Sequence, residues 1–192
     1  MATRNAQRRL FAFLRAINVG GRNVAMAELR RVFEDLGLKE VETFIASGNV
    51  VFNSDGTDLR ALELLLEDRL RWSLGYEVST FIRTEEELAA IAKYEPFRKS
   101  HLKDAEALNV GFLVEPPGPA TKKLIMAFKS QIDDFHVCGR EVYWLAQTKQ
   151  SDSKFNNVRF EKMLNARATW RGINTVRRLA AKYISRLGSA GC

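Results

Sequence analysis

Apolar and polar positions along this chain change period in a regular order. Residues 9–17, RLFAFLRAI, are mostly apolar, as a strand buried on both faces requires. After a polar, glycine-containing loop, Met26, Leu29, Val32, Phe33 and Leu36 recur at helical spacing, and Gly37 follows where a helix end accepts positive φ. VETFIA and VVFN flank Ser47, Gly48 and Asn49, which predicts a hairpin. Asp55 to Asp58 supply a turn and a cap before Leu59, Leu62, Leu65, Leu66 and Leu70, a second amphipathic helix, and Tyr76 to Arg83 alternates as a strand. The order is βαββαβ.

A linking helix follows, opened by Thr84 with Glu87 at capping-box spacing. Pro96 to Asp104 is polar and reads as a linker. The order then repeats: ALNVGFLV as strand, EPPGPA as loop, Lys122 to Lys129 as helix, DDFHV and EVYWLA as a hairpin around Cys138, Gly139 and Arg140, a helix from Phe155 to Leu164, and the short run ARATW. A last helix carries Ile173, Val176, Leu179, Tyr183 and Leu187 on one face. The pattern predicts an N-terminal unit over residues 1–95, a linker over 96–105 and a C-terminal unit over 106–192.

Each βαββαβ unit closes most simply as an antiparallel sheet of order 4132 with both helices on one face, the ferredoxin-like arrangement. The expected fold class is therefore α+β: two ferredoxin-like units with antiparallel sheets, a linking helix and a C-terminal helix. Phe11 and Phe13, two apart, point to one face of the first strand. The two units either cover each other's open faces or join edge to edge.

Composition narrows the class. At 192 residues with 46% hydrophobic and 28% charged side chains, the chain has enough apolar material for a core and no apolar run long enough to span a bilayer. The opening MATRNAQRRL has no apolar segment resembling a secretory signal, and Cys138 and Cys192 are too few for a disulfide framework, so a cytoplasmic protein is expected. The net charge of +7 is concentrated at the ends: three arginines and no acid in residues 1–10, and nine basic against two acidic residues in 151–192. Such ends attract phosphate, on nucleic acid or on a small ligand, although Arg177, Arg178 and Lys182 also fit the solvated side of an amphipathic helix.

The most conspicuous polar segment is Ile17 to Asn23, INVGGRN, where paired glycines and a following helix N-terminus make an anion-binding geometry. It is neither a Walker A loop nor a dinucleotide fingerprint. The 4132 order brings it beside the Ser47, Gly48, Asn49 turn. The candidate ligand-binding residues are Arg15, Asn18, Gly20, Gly21, Arg22, Asn23, Ser47, Gly48 and Asn49, with Arg171, Asn174 and Thr175 at a second strand-to-helix junction. Plain structural roles compete: tight turns for the glycines, and helix caps for Asn23 and for Asn174 or Thr175. His136 and Cys138 share a strand face, but no third residue orients the histidine, so no catalytic residue is assigned. No metal and no cofactor are expected, since His101, His136, Cys138 and Cys192 lack ligand spacing.

FLRAINVGGRN, Met26 with the AELRRVFEDLG helix, and SGNVVF together resemble the bacterial family called domain of unknown function 1697. Ser153 and Lys154, then Thr169, Arg171, Asn174, Thr175 and Val176, match that family's Ser-Lys pair and T-x-R-x-x-N-T run. The resemblance covers about residues 9–184. Ala16 stands where relatives commonly have glycine, and Gly172 and Ile173 where they often have Asn-Trp. The resemblance implies the same duplicated fold and no established reaction. The resulting expectation is a protein binding a small phosphate-bearing anion; the alternatives are an RNA- or DNA-binding module, or a protein-interaction module using an open sheet edge or face.

Overall fold

A computed structural model describes residues 7–17, 24–149, 152–153 and 155–184. The chain divides into two compact units, Met1–Leu88 and Ala89–Cys192. In the first, β1 (Arg8–Leu14), α1 (Met26–Glu34), β2 (Lys39–Thr43), β3 (Asn49–Ser54), α2 (Leu59–Leu74) and β4 (Thr80–Thr84) follow the expected βαββαβ order. The sheet is antiparallel, ordered β2-β3-β1-β4, which is the 4132 arrangement read from its other edge. Leu10, Ala12 and Leu14 of β1 meet Leu29, Val32 and Phe33 of α1 and Leu66 and Leu70 of α2 in one core. Phe11 and Phe13 alternate to the opposite face and are also fully buried.

Element ends and faces differ from expectation where backbone geometry intervenes. β1 stops at Leu14, short of Ile17, because Ala16 takes φ 68° and breaks the extended run. β4 begins at Thr80 rather than Tyr76. On α2 the sequence placed Leu65 on the apolar side; it is 51% exposed, whereas Glu63 is 1% exposed. The reason is the sheet edge. β4 presents amides with no strand partner, and Glu63 Oε1 accepts from the Ile82 N–H at 2.8 Å while Glu67 Oε1 accepts from the Thr80 N–H at 2.8 Å. Burial pushes the Glu67 carboxyl above its usual range, with the Thr80 amide opposing.

Two of the predicted caps form. Asp58 Oδ1 accepts from the Ala61 N–H at 3.0 Å, and ahead of α3 (Glu85–Lys93) the Thr84–Glu87 box closes with bonds of 2.9 and 3.2 Å. Within the polar stretch read as a linker, residues form a short helix, α4 (Lys99–Lys103).

The second unit continues with β5 (Ala107–Phe112), α5 (Pro119–Met126), β6 (Asp133–Cys138), β7 (Glu141–Ala146), α6 (Asn157–Leu164), β8 (Thr169–Gly172) and α7 (Ile173–Tyr183), and its antiparallel sheet is ordered β6-β7-β5-β8. α5 starts three residues before the expected Lys122 because Pro119 suits a first helical turn, where its missing N–H costs nothing. The core is aromatic: Phe135, Trp144, Phe155 and Phe160 are buried, with Phe128 and Trp170 packed against them. Asp133 anchors it, accepting from Trp144 Nε1 at 2.7 Å and from Ser153 Oγ at 2.9 Å.

The two units repeat small details as well as topology. The Leu14 N–H donates to Gly48 O at 2.7 Å and the Leu113 N–H to Arg140 O at 2.9 Å, so each hairpin turn is tied to the end of its unit's first strand. Arg83 and Arg171 pair with Phe11 and Val110, equivalent positions before those leucines. Each donates from Nη1 to the carbonyl of the residue before it at 2.9 Å. Glu161 Oε1 accepts from the Ala168 N–H at 2.7 Å, the counterpart of Glu67 with Thr80.

Candidate functional site

Of the first-unit candidates, the structure describes Arg15, Ser47, Gly48 and Asn49; Asn18, Gly20, Gly21, Arg22 and Asn23 lie outside the described residues. Gly48 sits at φ 73°, and a Cβ there would meet Ile17 Cβ at 3.1 Å and Leu14 Cβ at 3.3 Å. Only glycine suits both the dihedral and the space, and the turn therefore abuts Ile17, where INVGGRN begins. Asn49 is 1% exposed, and its Nδ2 donates to Phe44 O at 3.0 Å and to Ser47 Oγ at 2.8 Å. Both amide protons thus stiffen the turn. Because Ser47 Oγ accepts from Asn49, its own proton is directed elsewhere. The Arg15 N–H donates to Ser79 O at 2.8 Å, fixing the backbone just before Ala16.

Two non-glycine residues take left-handed dihedrals in this region, Ala16 at φ 68° and Ile45 at φ 51°, and Ile45 is β-branched and 43% exposed. Left-handed residues of this kind cost about 1–2 kcal/mol each and cluster at sites where the backbone is held for a purpose. Ala16→Gly is expected to raise stability by roughly 0.5–1 kcal/mol, the relieved strain outweighing the added freedom of the unfolded chain. Thermal melting checks this, and a fall in Tm would contradict a left-handed residue 16.

The remaining candidates lie in the second unit. α7 begins at Ile173 with Gly172 at its N-cap and no side-chain cap, so Asn174 and Thr175 sit inside the first turn and neither caps the helix. With Asn109 and Arg177 they line a cavity of about 460 Å³. Arg177 Nε donates to Ala92 O at 3.2 Å. Arg171 does not line that cavity; it belongs to the face of β8 shared with Thr169, whose Oγ1 it reaches at 2.9 Å, and burial lowers its guanidinium to about 10. Arg83, unremarked in the sequence reading, occupies the equivalent place in the first unit and is fully buried. The signal for it was the placement of one arginine in each unit's last strand. Ser153 serves Asp133 and the Phe155 N–H, a local turn role, while Lys154 lies outside the described residues.

Phe11 and Phe13, the positions where an RNA-recognition sheet exposes stacking rings, are fully buried. Among the described residues no group of three or more His, Cys, Asp and Glu is placed to hold a metal ion, and no helix is long and apolar enough to cross a membrane.

The fold defines an α+β protein of two similar four-stranded units, each with its hairpin turn tied to its first strand. The chain belongs to the family described as protein of unknown function DUF1697, which matches residues 8–143. Among solved structures it is similar to a conserved bacterial protein of Streptococcus pneumoniae, at 23% identity with a TM-score of 0.73, covering 92% of this chain and 98% of that one. That likeness concerns the fold. No protein with a curated description matches.

Proposed function

We propose that this protein binds a small, phosphate-bearing anion at the rim made by the INVGGRN loop and the Ser47, Gly48, Asn49 turn. The observation that carries the reading is the close approach of Gly48 to Ile17, the residue at which the INVGGRN segment begins. The segment carries paired glycines ahead of α1, whose N-terminus brings the positive end of its dipole, and Arg15 and Arg22 add positive charge. Asn49 acts as a positioning residue, since its amide holds the turn. Left-handed Ala16 and Ile45 support the reading because strained backbone of that kind accompanies ligand clamps. Asn174 and Thr175 line a separate cavity in the second unit, which Arg171 does not share.

Thermal melting against inorganic phosphate, a nucleoside monophosphate and a sugar phosphate tests the site. At about 100 times Kd a true ligand adds roughly 2.7 kcal/mol, or a Tm rise of about 5–10 °C for a chain of this size. Arg22→Ala should abolish the rise. No shift with any of the three probes, or a shift unchanged in Arg22→Ala, contradicts the proposal.

A further inference from the structure

Between α5 and β6 the chain reads AFKSQI, residues 127–132, with a single aromatic residue among small and polar ones. That residue, Phe128, folds back on the aromatic core of the second unit, its ring centroid 5.5 Å from Phe155, 5.7 Å from Phe160 and 6.1 Å from Phe135. It is nevertheless only half-buried, and with Phe155 and Ile132 it lines a cavity of about 450 Å³. Cavities of roughly 300–1,000 Å³, with apolar walls and a few placed polar groups, are the usual form of small-molecule sites.

The walls of this cavity are held in place. Asp133, 4% exposed, gathers three neutral donors: Trp144 Nε1 at 2.7 Å, Ser153 Oγ at 2.9 Å and Ser130 Oγ at 3.1 Å. Ser130 Oγ in turn accepts from the N–H groups of Ile132 at 3.2 Å and Asp133 at 3.0 Å, and Ser153 Oγ accepts from the Phe155 N–H at 2.9 Å. One carboxylate thus ties the loop after α5 to the segment that leads into Phe155. The space is shaped before any ligand arrives.

Charge decides what it takes. Asp133 is satisfied by its donors, Asp152 has a partner of its own, and Lys129 pairs with Asp134 at 2.6 Å. The exception is Arg159 of α6, which is exposed and whose guanidinium lies over the Phe128 ring, 5.8 Å from its centroid. Among the described residues that guanidinium meets no carboxylate and no hydrogen-bond acceptor. A guanidinium is a planar fork that holds a carboxylate through two parallel bonds, and the aromatic side chains beside it favour a second ring. One uncommitted cation matches a monoanion; a phosphate dianion would carry an unmatched charge beside Asp133 and Asp152.

We propose that this cavity binds a small aromatic carboxylate, its ring resting on Phe128 and Phe155 and its carboxylate held by Arg159. The site lies wholly within the second unit and is independent of the anion site at the INVGGRN loop.

An amide-detected NMR titration of the full-length protein with benzoate and with phenylacetate tests the site. Both acids should bind saturably at millimolar concentration or below and shift the amides of Phe128, Ile132, Phe155 and Arg159. Benzamide, which keeps the ring and loses the charge, should bind at least about tenfold more weakly than benzoate. Cyclohexanecarboxylate, which keeps the charge and loses the aromatic face, should bind about threefold or more weakly. Because Arg159 is exposed, Arg159→Gln should leave the spectrum unchanged elsewhere and weaken benzoate at least about tenfold, and Arg159→Lys should recover only part of the loss. No saturable shift at those four amides with either acid, equal affinity for benzoate and benzamide, or wild-type benzoate affinity in Arg159→Gln would each overturn the site. Cyclohexanecarboxylate binding as well as benzoate, or inorganic phosphate shifting the same amides as strongly, would overturn its assignment to aromatic carboxylates.

Discussion

Gly111→Ala is expected to destabilise the second unit by about 2–4 kcal/mol, although it adds a single methyl group. Gly111 pairs with Trp170 across β5 and β8, and a Cβ on it would fall 2.7–2.8 Å from three atoms of the Trp170 ring. The ring cannot yield cheaply. It packs edge-on against Phe155, Phe160 and Trp144 with centroids 5.2, 5.3 and 6.1 Å away, and its Nε1 donates to Asn157 Oδ1 at 2.8 Å. Moving it therefore loses aromatic contacts and a hydrogen bond together. Chemical denaturation measures the cost, and adding Trp170→Leu to Gly111→Ala should restore part of it, because the smaller side chain vacates the space the methyl needs. Gly37→Ala is the contrasting case: no atom lies within 4 Å, but φ is 79°, so its cost of about 1 kcal/mol comes from the backbone. If Gly111→Ala melts like wild type, the ring does not rest on Gly111.

Glu63→Leu should lower the stability of the first unit by about 2–3 kcal/mol, despite placing an apolar residue in a site with almost no exposure. The competing effects can be weighed. Leucine avoids the desolvation of a carboxylate, which sometimes makes such a replacement harmless. Against that, it removes the acceptor for the Ile82 N–H and strands that buried amide, and a charge-assisted bond of this kind contributes about 1.5–3 kcal/mol. The Arg60 partner is half-exposed, so its 3.0 Å pair with Glu63 adds little. Glu63→Gln keeps an acceptor oxygen and should lose less than half as much. Denaturation curves rank the three proteins, and amide exchange at Ile82 should accelerate more than at Phe81. A leucine variant as stable as wild type would mean that desolvation had cancelled the hydrogen bond.

How far the sequence carries is clearest at these same positions. Period alone locates all eight strands and the larger helices, because a strand with two buried faces and a helix with one apolar stripe are local patterns. It also predicts that the turn around Gly48 lies beside the end of β1, since the strand order forces that neighbourhood. It misassigns Leu65 and Glu63: a run of leucines gives no sign that an acid four residues from Glu67 will be drawn inward to cover a sheet edge. Tyr94 is likewise invisible as a partner of His136, separated from it along the chain by α4, β5 and α5.

By its own pattern, then, the chain determines two βαββαβ units and the caps at Asp58 and Thr84. Only the tertiary structure decides which polar groups meet: the carboxylates that close the β4 and β8 edges, the equivalent Arg83 and Arg171, and the Tyr94 phenol that reaches His136. The division has a physical cause. Periodicity records which way a side chain points along its own element, whereas partners across elements depend on strand register and helix rotation, which are set when the whole core packs.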